Sequence, residues 1–316
     1  MQKTILLTGI TGQVGRDLGL LLPRLSLKIV APKREELDLT KAGQIRHVIA
    51  EAKPHLIVNA AAYTAVDKAE SDAATARAVN TDAVRIMAEE ARKVGAALIH
   101  YSTDYVFAGT STAPYTEDDA PNPQSIYGKT KLDGETAIRA SGTPHLIFRT
   151  AWVYAREGRN FPLTILRLAT QREELRIVRD QIGAPTLSRE IAAATIDIIE
   201  QLIQKHPDPV RAFEDVSGVY HMTAGGKTSW YDFACAILEE AARARAQDWL
   251  TAATGGRRLI ARSVVPITTA EYPTPAKRPH YSVLCCERLA KTFGRTLPHW
   301  REQLRSFFAA PASLQT

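Results

Sequence analysis

Ile5-Leu6-Leu7-Thr8 runs directly into Gly9-Ile10-Thr11-Gly12-Gln13-Val14-Gly15. An apolar run of this length reads as a buried strand. The Gly-x-x-Gly-x-x-Gly spacing after it lets backbone approach a pyrophosphate at the N-terminus of the next helix, where a Cβ would block the approach. Gly9, Gly12 and Gly15 are therefore candidate cofactor contacts.

Further apolar runs at Lys28–Ala31, Leu56–Asn59, Ala97–Tyr101 and Leu146–Arg149 predict four more strands. Helical spacing over Gln13–Leu22, Lys41–Ala52, Ser71–Val94 and Tyr127–Ala140 separates them. Such alternation calls for right-handed crossovers on both faces of a parallel sheet, an α/β fold of the doubly wound, Rossmann-like kind. After Thr150 the rhythm becomes irregular. Pro- and Gly-bearing stretches, Gly183-Ala184-Pro185-Thr186 and Pro273-Thr274-Pro275-Ala276, lie between helix-like segments near 188–204, 229–246 and 298–309. The expected division is a dinucleotide-binding domain at 1–151, with a returning segment near 188–224. A smaller C-terminal α/β substrate lobe takes 152–187 and about 225–316.

A chain of 316 residues exceeds the size at which one core stops growing, and 45% hydrophobic residues supply material for a core and an added lobe. The net charge of +6 is spread among acidic residues with no basic arm or block, so neither nucleic acid nor a membrane surface is implied, whereas an anionic small ligand fits. Cys235, Cys285 and Cys286 make a poor disulfide framework. With no secretory-type leader or bilayer-length apolar run, the expectation is a soluble, unprocessed, cytoplasmic protein. The eight histidines show no H-x-x-x-H spacing, so no metal ligands are predicted from pattern.

Tyr127 and Lys131 lie four apart at the start of a predicted helix and so share one face. A phenol of pKa about 10 is mostly protonated at neutral pH, and a neighbouring ammonium makes its proton easier to exchange with a substrate oxygen. Upstream, Ser102-Thr103-Asp104-Tyr105-Val106-Phe107 ends the fourth strand and carries hydroxyls to the carboxyl edge of the sheet, where open α/β folds bind ligands. Thr103 is the candidate third member, with Ser102 as its rival. The second strand leads to Lys33 and Arg34 where an acidic residue would select NAD. NADPH is therefore the expected cofactor, although Glu35 and Glu36 follow.

With these motifs, the chain resembles the extended short-chain dehydrogenase/reductases and, among them, the dTDP-4-dehydrorhamnose reductase family. The resemblance also rests on Val58-Asn59-Ala60-Ala61-Ala62-Tyr63-Thr64-Ala65-Val66-Asp67-Lys68-Ala69-Glu70, Phe148-Arg149-Thr150-Ala151-Trp152-Val153-Tyr154, Asp180-Gln181-Ile182-Gly183-Ala184-Pro185-Thr186 and Pro273-Thr274-Pro275-Ala276-Lys277-Arg278-Pro279. It implies reduction of the C4 keto group of a dTDP-sugar, with Tyr127 as proton donor, Lys131 on the nicotinamide ribose and Thr103 at the substrate oxygen. It further implies cofactor contacts from Gln13, Val14, Asp38, Leu39, Ala61, Ala62 and Tyr63, and substrate contacts from Asp104, Trp152 and Arg278. Some relatives carry an acidic residue where Lys33 and Arg34 lie, which leaves NADH use open. A homodimer, and Mg²⁺ held by counterparts of Asp17 and Glu190, follow from some relatives.

Two other readings stay open. One is a nucleotide-sugar epimerase or dehydratase of the same superfamily, although the acidic pair that dehydratases add beside the threonine is absent here. The other is a non-catalytic regulatory subunit, since that of methionine adenosyltransferase resembles this family.

Overall fold

The computed structural model describes residues 3–206, 208–244 and 248–309. Six strands, β1 (Thr4–Thr8), β2 (Lys28–Val30), β3 (Leu56–Asn59), β4 (Ala97–Thr103), β5 (His145–Thr150) and β6 (Gly218–His221), form one parallel sheet. Their spatial order is β2-β1-β3-β4-β5-β6. The order reverses at β1, and the crevice beyond the carboxyl ends of β1 and β3 is where such sheets bind ligands.

The sheet is apolar on both faces because alternate residues of each strand point to opposite sides. Ile5, Leu7, Leu56, Val58, Ala97, Ile99, Leu146 and Phe148 pack with α1 (Gln13–Leu21) and α6 (Ser188–Lys205). Leu6, Ile57, Leu98, Ile147 and Val219 face α2 (Ala42–Ala52), α3 (Ala83–Val94) and α4 (Ile126–Ser141). A separate core of aliphatic residues together with aromatic ones such as Tyr154, Phe233, Trp300 and Phe307 joins α5 (Phe161–Ala169), α7 (Trp230–Arg243) and α8 (Trp300–Ala309). Glu174–Val178 pairs with Ser263–Ile267 beside these helices.

The expected continuous helix over Ser71–Val94 is interrupted. Ala73–Arg77 leads into a π-turn at Ala78–Asp82 before α3 resumes. The wide turn delivers Asn80, whose side chain accepts from Tyr63 N at 2.9 Å, donates to Tyr63 O at 3.1 Å and reaches the Thr130 hydroxyl at 3.3 Å. It thereby ties the segment after β3 to α4. Helix α4 starts at Ile126 because Ser125 caps it, accepting from Gly128 N. α7 ends at Arg243, and the last residues of the expected 229–246 helix, 245 and 246, lie outside the described residues. Strand β6 was absent from the sequence reading, which had only a returning segment there. Among the described residues no helix is long and apolar enough to cross a membrane.

Candidate active site

A cleft of about 1050 Å³ runs from the glycine loop to the start of α4. Gly9 sits at φ +78°, and a Cβ there would lie 2.5 Å from Ala61 N. A Cβ on Gly15 would lie 2.0 Å from Gly9 O, so the first helical turn closes on the loop only without a side chain. Gly9, Gly12, Gln13 and Val14 line the cleft, while Gly15 supports them from behind. Lys33, Arg34, Asp38 and Leu39 line its outer end. Asp38 accepts from Thr40 N and from the Thr40 hydroxyl at 3.0 and 2.8 Å, and these bonds hold its carboxyl below the usual range. Ala61, Ala62 and Tyr63 border the same space.

At the inner end, Tyr127 and Lys131 line the cleft from one face of α4. Burial pushes the pKa of the Tyr127 phenol well above 10, an effect that the neighbouring Thr103 hydroxyl opposes. Thr103 in turn donates to Asp104 Oδ1 at 3.0 Å. Burial pushes Asp104 up to about 6, against the hydrogen bond from Thr103, and its Oδ2 has no hydrogen-bond partner. Ser102 also lines the cleft, and its hydroxyl donates to Glu135 Oε1 at 2.5 Å. Glu135 and Arg149 form a buried two-pronged pair at 3.0 and 2.7 Å. Lys131, 1% exposed, donates to Tyr101 O at 2.6 Å, and burial pushes its amine down to about 8.

Thr103, Asp104, Trp152 and Arg278 lie outside the lining of this cleft. Trp152 adopts a left-handed φ of 48° and stacks on Trp230, ring centroids 3.4 Å apart. Such a backbone is strained for a bulky side chain and persists where the surroundings impose it. Gly183 leaves room for the Trp152 ring, since a Cβ there would sit 2.4 Å from it. Arg278 is paired with Asp67 at 2.6 Å and donates to the Tyr105 hydroxyl at 3.1 Å. The Tyr105 ring meets Tyr127 edge-on at 5.5 Å, so this cluster borders the catalytic tyrosine candidate.

Sequence reasoning missed the segment Ala155–Arg159, which lines the cleft opposite the glycine loop. Asn160 anchors it by donating to Gln13 Oε1 at 2.9 Å and capping α5. The Asn-Phe-Pro sequence at 160–162 is a legible helix start, but its partner 147 residues away is not. Asn59 and His100, behind Lys131, were also missed. Asp17 and Glu190 do not make an Mg²⁺ site within one chain. Asp17 accepts a short bond from Ser188 and faces Arg189 and Arg16, and burial raises both carboxyls. Among the described residues no group of three or more His, Cys, Asp or Glu is arranged for a metal.

The sequence pattern of the RmlD substrate binding domain family matches residues 2–312. This chain belongs to that family. It is 46% identical to the dTDP-4-dehydrorhamnose reductase of Burkholderia thailandensis over 94% of this chain and 95% of the relative. With the Escherichia coli K12 reductase of the same name the identity is 42%, over 94% of each chain. Among solved structures, the Bacillus anthracis dTDP-4-dehydrorhamnose reductase in complex with NADP superposes with a TM-score of 0.82 at 32% identity, covering 98% of this chain and 99% of that one. The Clostridium acetobutylicum counterpart gives 0.83 at 36%, covering 96% and 98%.

Proposed function

We propose that this RmlD-family protein reduces the C4 keto group of dTDP-4-dehydro-L-rhamnose to dTDP-L-rhamnose, with NADPH preferred over NADH. One observation carries the reading. Tyr127, beside Thr103 and one helical turn from Lys131, stands at the carboxyl edge of the sheet beside a cleft that reaches the glycine loop. When bound, the reduced nicotinamide supplies the hydride that forms the new C–H bond.

The residues of the chain do the rest. Gly9–Gly15 hold the pyrophosphate at the N-terminus of α1, Lys33 and Arg34 take the 2′-phosphate, and Asp38, Leu39 and Ala61–Tyr63 flank the adenosine and nicotinamide ends. Thr103 orients the keto oxygen and Tyr127 gives it a proton as the carbonyl π pair becomes an O–H bond. Lys131 sets the readiness of that proton. Asp104, Trp152 and Arg278 position the sugar and diphosphate, with Arg278 shared between ligand and Asp67. In this reading 1–151 with 188–224 is the cofactor unit, and 152–187 with 225–316 the sugar lobe. Homodimerisation belongs to the reading as well and is checked by sedimentation.

The test is appearance of reduced nicotinamide when purified protein meets dTDP-L-rhamnose and NADP⁺. Tyr127→Phe is expected to lower turnover about 10²–10⁴-fold while leaving cofactor affinity nearly unchanged. Full turnover in the variant would remove Tyr127 from the chemistry. An inactive wild type, in this direction and on freshly made keto sugar, would remove the substrate.

A further inference from the structure

Behind the cleft, a buried hydrogen-bond chain ends on Lys131. The Thr8 hydroxyl donates to Asn59 Oδ1 at 2.6 Å, and Ala61 N–H approaches the same oxygen at 3.2 Å. Asn59 Nδ2 lies 3.0 Å from His100 Nδ1, and His100 Nε2 lies 3.0 Å from Lys131 Nζ. Asn59 is 1% exposed, His100 0% and Lys131 1%, so no member borrows a partner from bulk water.

The direction of the chain follows from one group that cannot turn over. Ala61 N–H is a donor only, so the oxygen of Asn59 must face it; the reversed amide would set NH₂ against N–H. Asn59 Nδ2 then donates, and His100 Nδ1 must accept. Complete burial holds the imidazole neutral, so its one hydrogen sits on Nε2, pointing at Lys131. An ammonium has three hydrogens and no lone pair. It would place N–H against N–H at this contact. A neutral amine satisfies every distance: its lone pair accepts from Nε2–H, one hydrogen goes to Tyr101 O, and the other is free for the cleft.

We infer that His100 is a positioning residue that weakens the hold of Lys131 on its proton in the cofactor-free protein, by presenting Nε2–H to the amine. The inference rests on the proposed function only in taking Lys131 as part of the reacting set. The other groups around Lys131 leave the argument standing. Glu135, one turn along α4, favours the charged amine but is committed to Arg149 and Ser102. Tyr127, one turn back on the same helix, is a protonated phenol. Asp104 faces Tyr127, and Asn59 carries no charge. Burial pushes Lys131 in the same direction as the His100 contact.

The experiment is an NMR titration of cofactor-free protein carrying lysine labelled with ¹³C at the ε-carbon, the Lys131 signal being the one missing from Lys131→Met. Lys131 is expected to titrate near 8 in the wild type. In His100→Gln, whose carbonyl can turn toward Nζ and accept, the midpoint is expected to rise by about one pH unit or more. A wild-type Lys131 that titrates at or above the ordinary value of about 10.4 overturns the inference, as does an unchanged midpoint in His100→Gln. Should that variant not fold, His100→Leu carries the test, an upward shift supporting the inference and no shift overturning it. No sugar is used, so a failure here is separate from a failure of the proposed reaction.

Discussion

Replacing Glu135 by Gln should be among the most damaging single changes of shape-conserving kind in the protein. Glu135 is 0% exposed and Arg149 2%, and the carboxylate accepts three hydrogen bonds, two from Arg149 and one from Ser102. The amide keeps the shape and loses the charge, leaving a guanidinium sealed from water whose Nη1 already lacks a partner. The Phe107 ring, 5.1 Å from the guanidinium carbon, is its remaining compensation. Removing one partner of a buried pair costs about 3–5 kcal/mol, a large share of the roughly 5–15 kcal/mol that holds a typical domain folded. At about 2 °C per kcal/mol for a chain of this size, Tm falls by roughly 6–10 °C. Urea unfolding with linear extrapolation reads the loss directly. The double variant Glu135→Met with Arg149→Met, which removes both charges at similar volume, should recover most of it. A cost below about 1 kcal/mol for Glu135→Gln, or a double variant weaker than the single one, would refute the reasoning.

Three further outcomes follow from the site. Gly15→Ala forces the loop to move, since its Cβ would lie 2.0 Å from Gly9 O; a Kd for NADPH at least about tenfold weaker is expected by fluorescence titration, about 1.4 kcal/mol. Arg34→Ala with Lys33→Ala should weaken NADPH about tenfold or more and leave NADH kinetics nearly unchanged, whereas equal effects on both cofactors would assign the pair elsewhere. Asp104 binds its proton more tightly folded, at about 6, than its ordinary 3.8. Its contribution is therefore whole below pH 4 and lost as pH rises through 6, so Asp104→Asn should gain roughly 2–3 kcal/mol over wild type on going from pH 4 to pH 8. Unfolding curves at the two pH values check the sign, and a gain confined to low pH would contradict it.

Much of this protein was readable before any coordinates. The five runs from Ile5 to Arg149 are strands of the sheet because short β-branched and Leu-rich runs between amphipathic helices have few other stable arrangements. The glycine loop and the Tyr127–Lys131 spacing were readable because their geometry is local: three to four residues of backbone decide where each group points. The π-turn at Ala78–Asp82 was not, since its cause is a side chain, Asn80, bonding across to the segment after β3 and to α4. The choice between Ser102 and Thr103 also needed tertiary structure. Adjacent strand residues point to opposite faces, and only the fold shows that Ser102 donates to Glu135 on α4 while Thr103 donates to Asp104 beside Tyr127.

By itself, then, the sequence determined the alternating α/β architecture, the phosphate loop and the face of α4 that carries Tyr127 and Lys131. Only the tertiary structure decided that Asn160 meets Gln13 across 147 positions, that Arg278 meets Asp67 across 211, and that His100 stands between Asn59 and Lys131. The physical reason is range. Periodicity and turn chemistry act over a few residues, whereas these contacts depend on where successive crossovers place the strand ends, and on which buried donor finds an acceptor once water has been excluded.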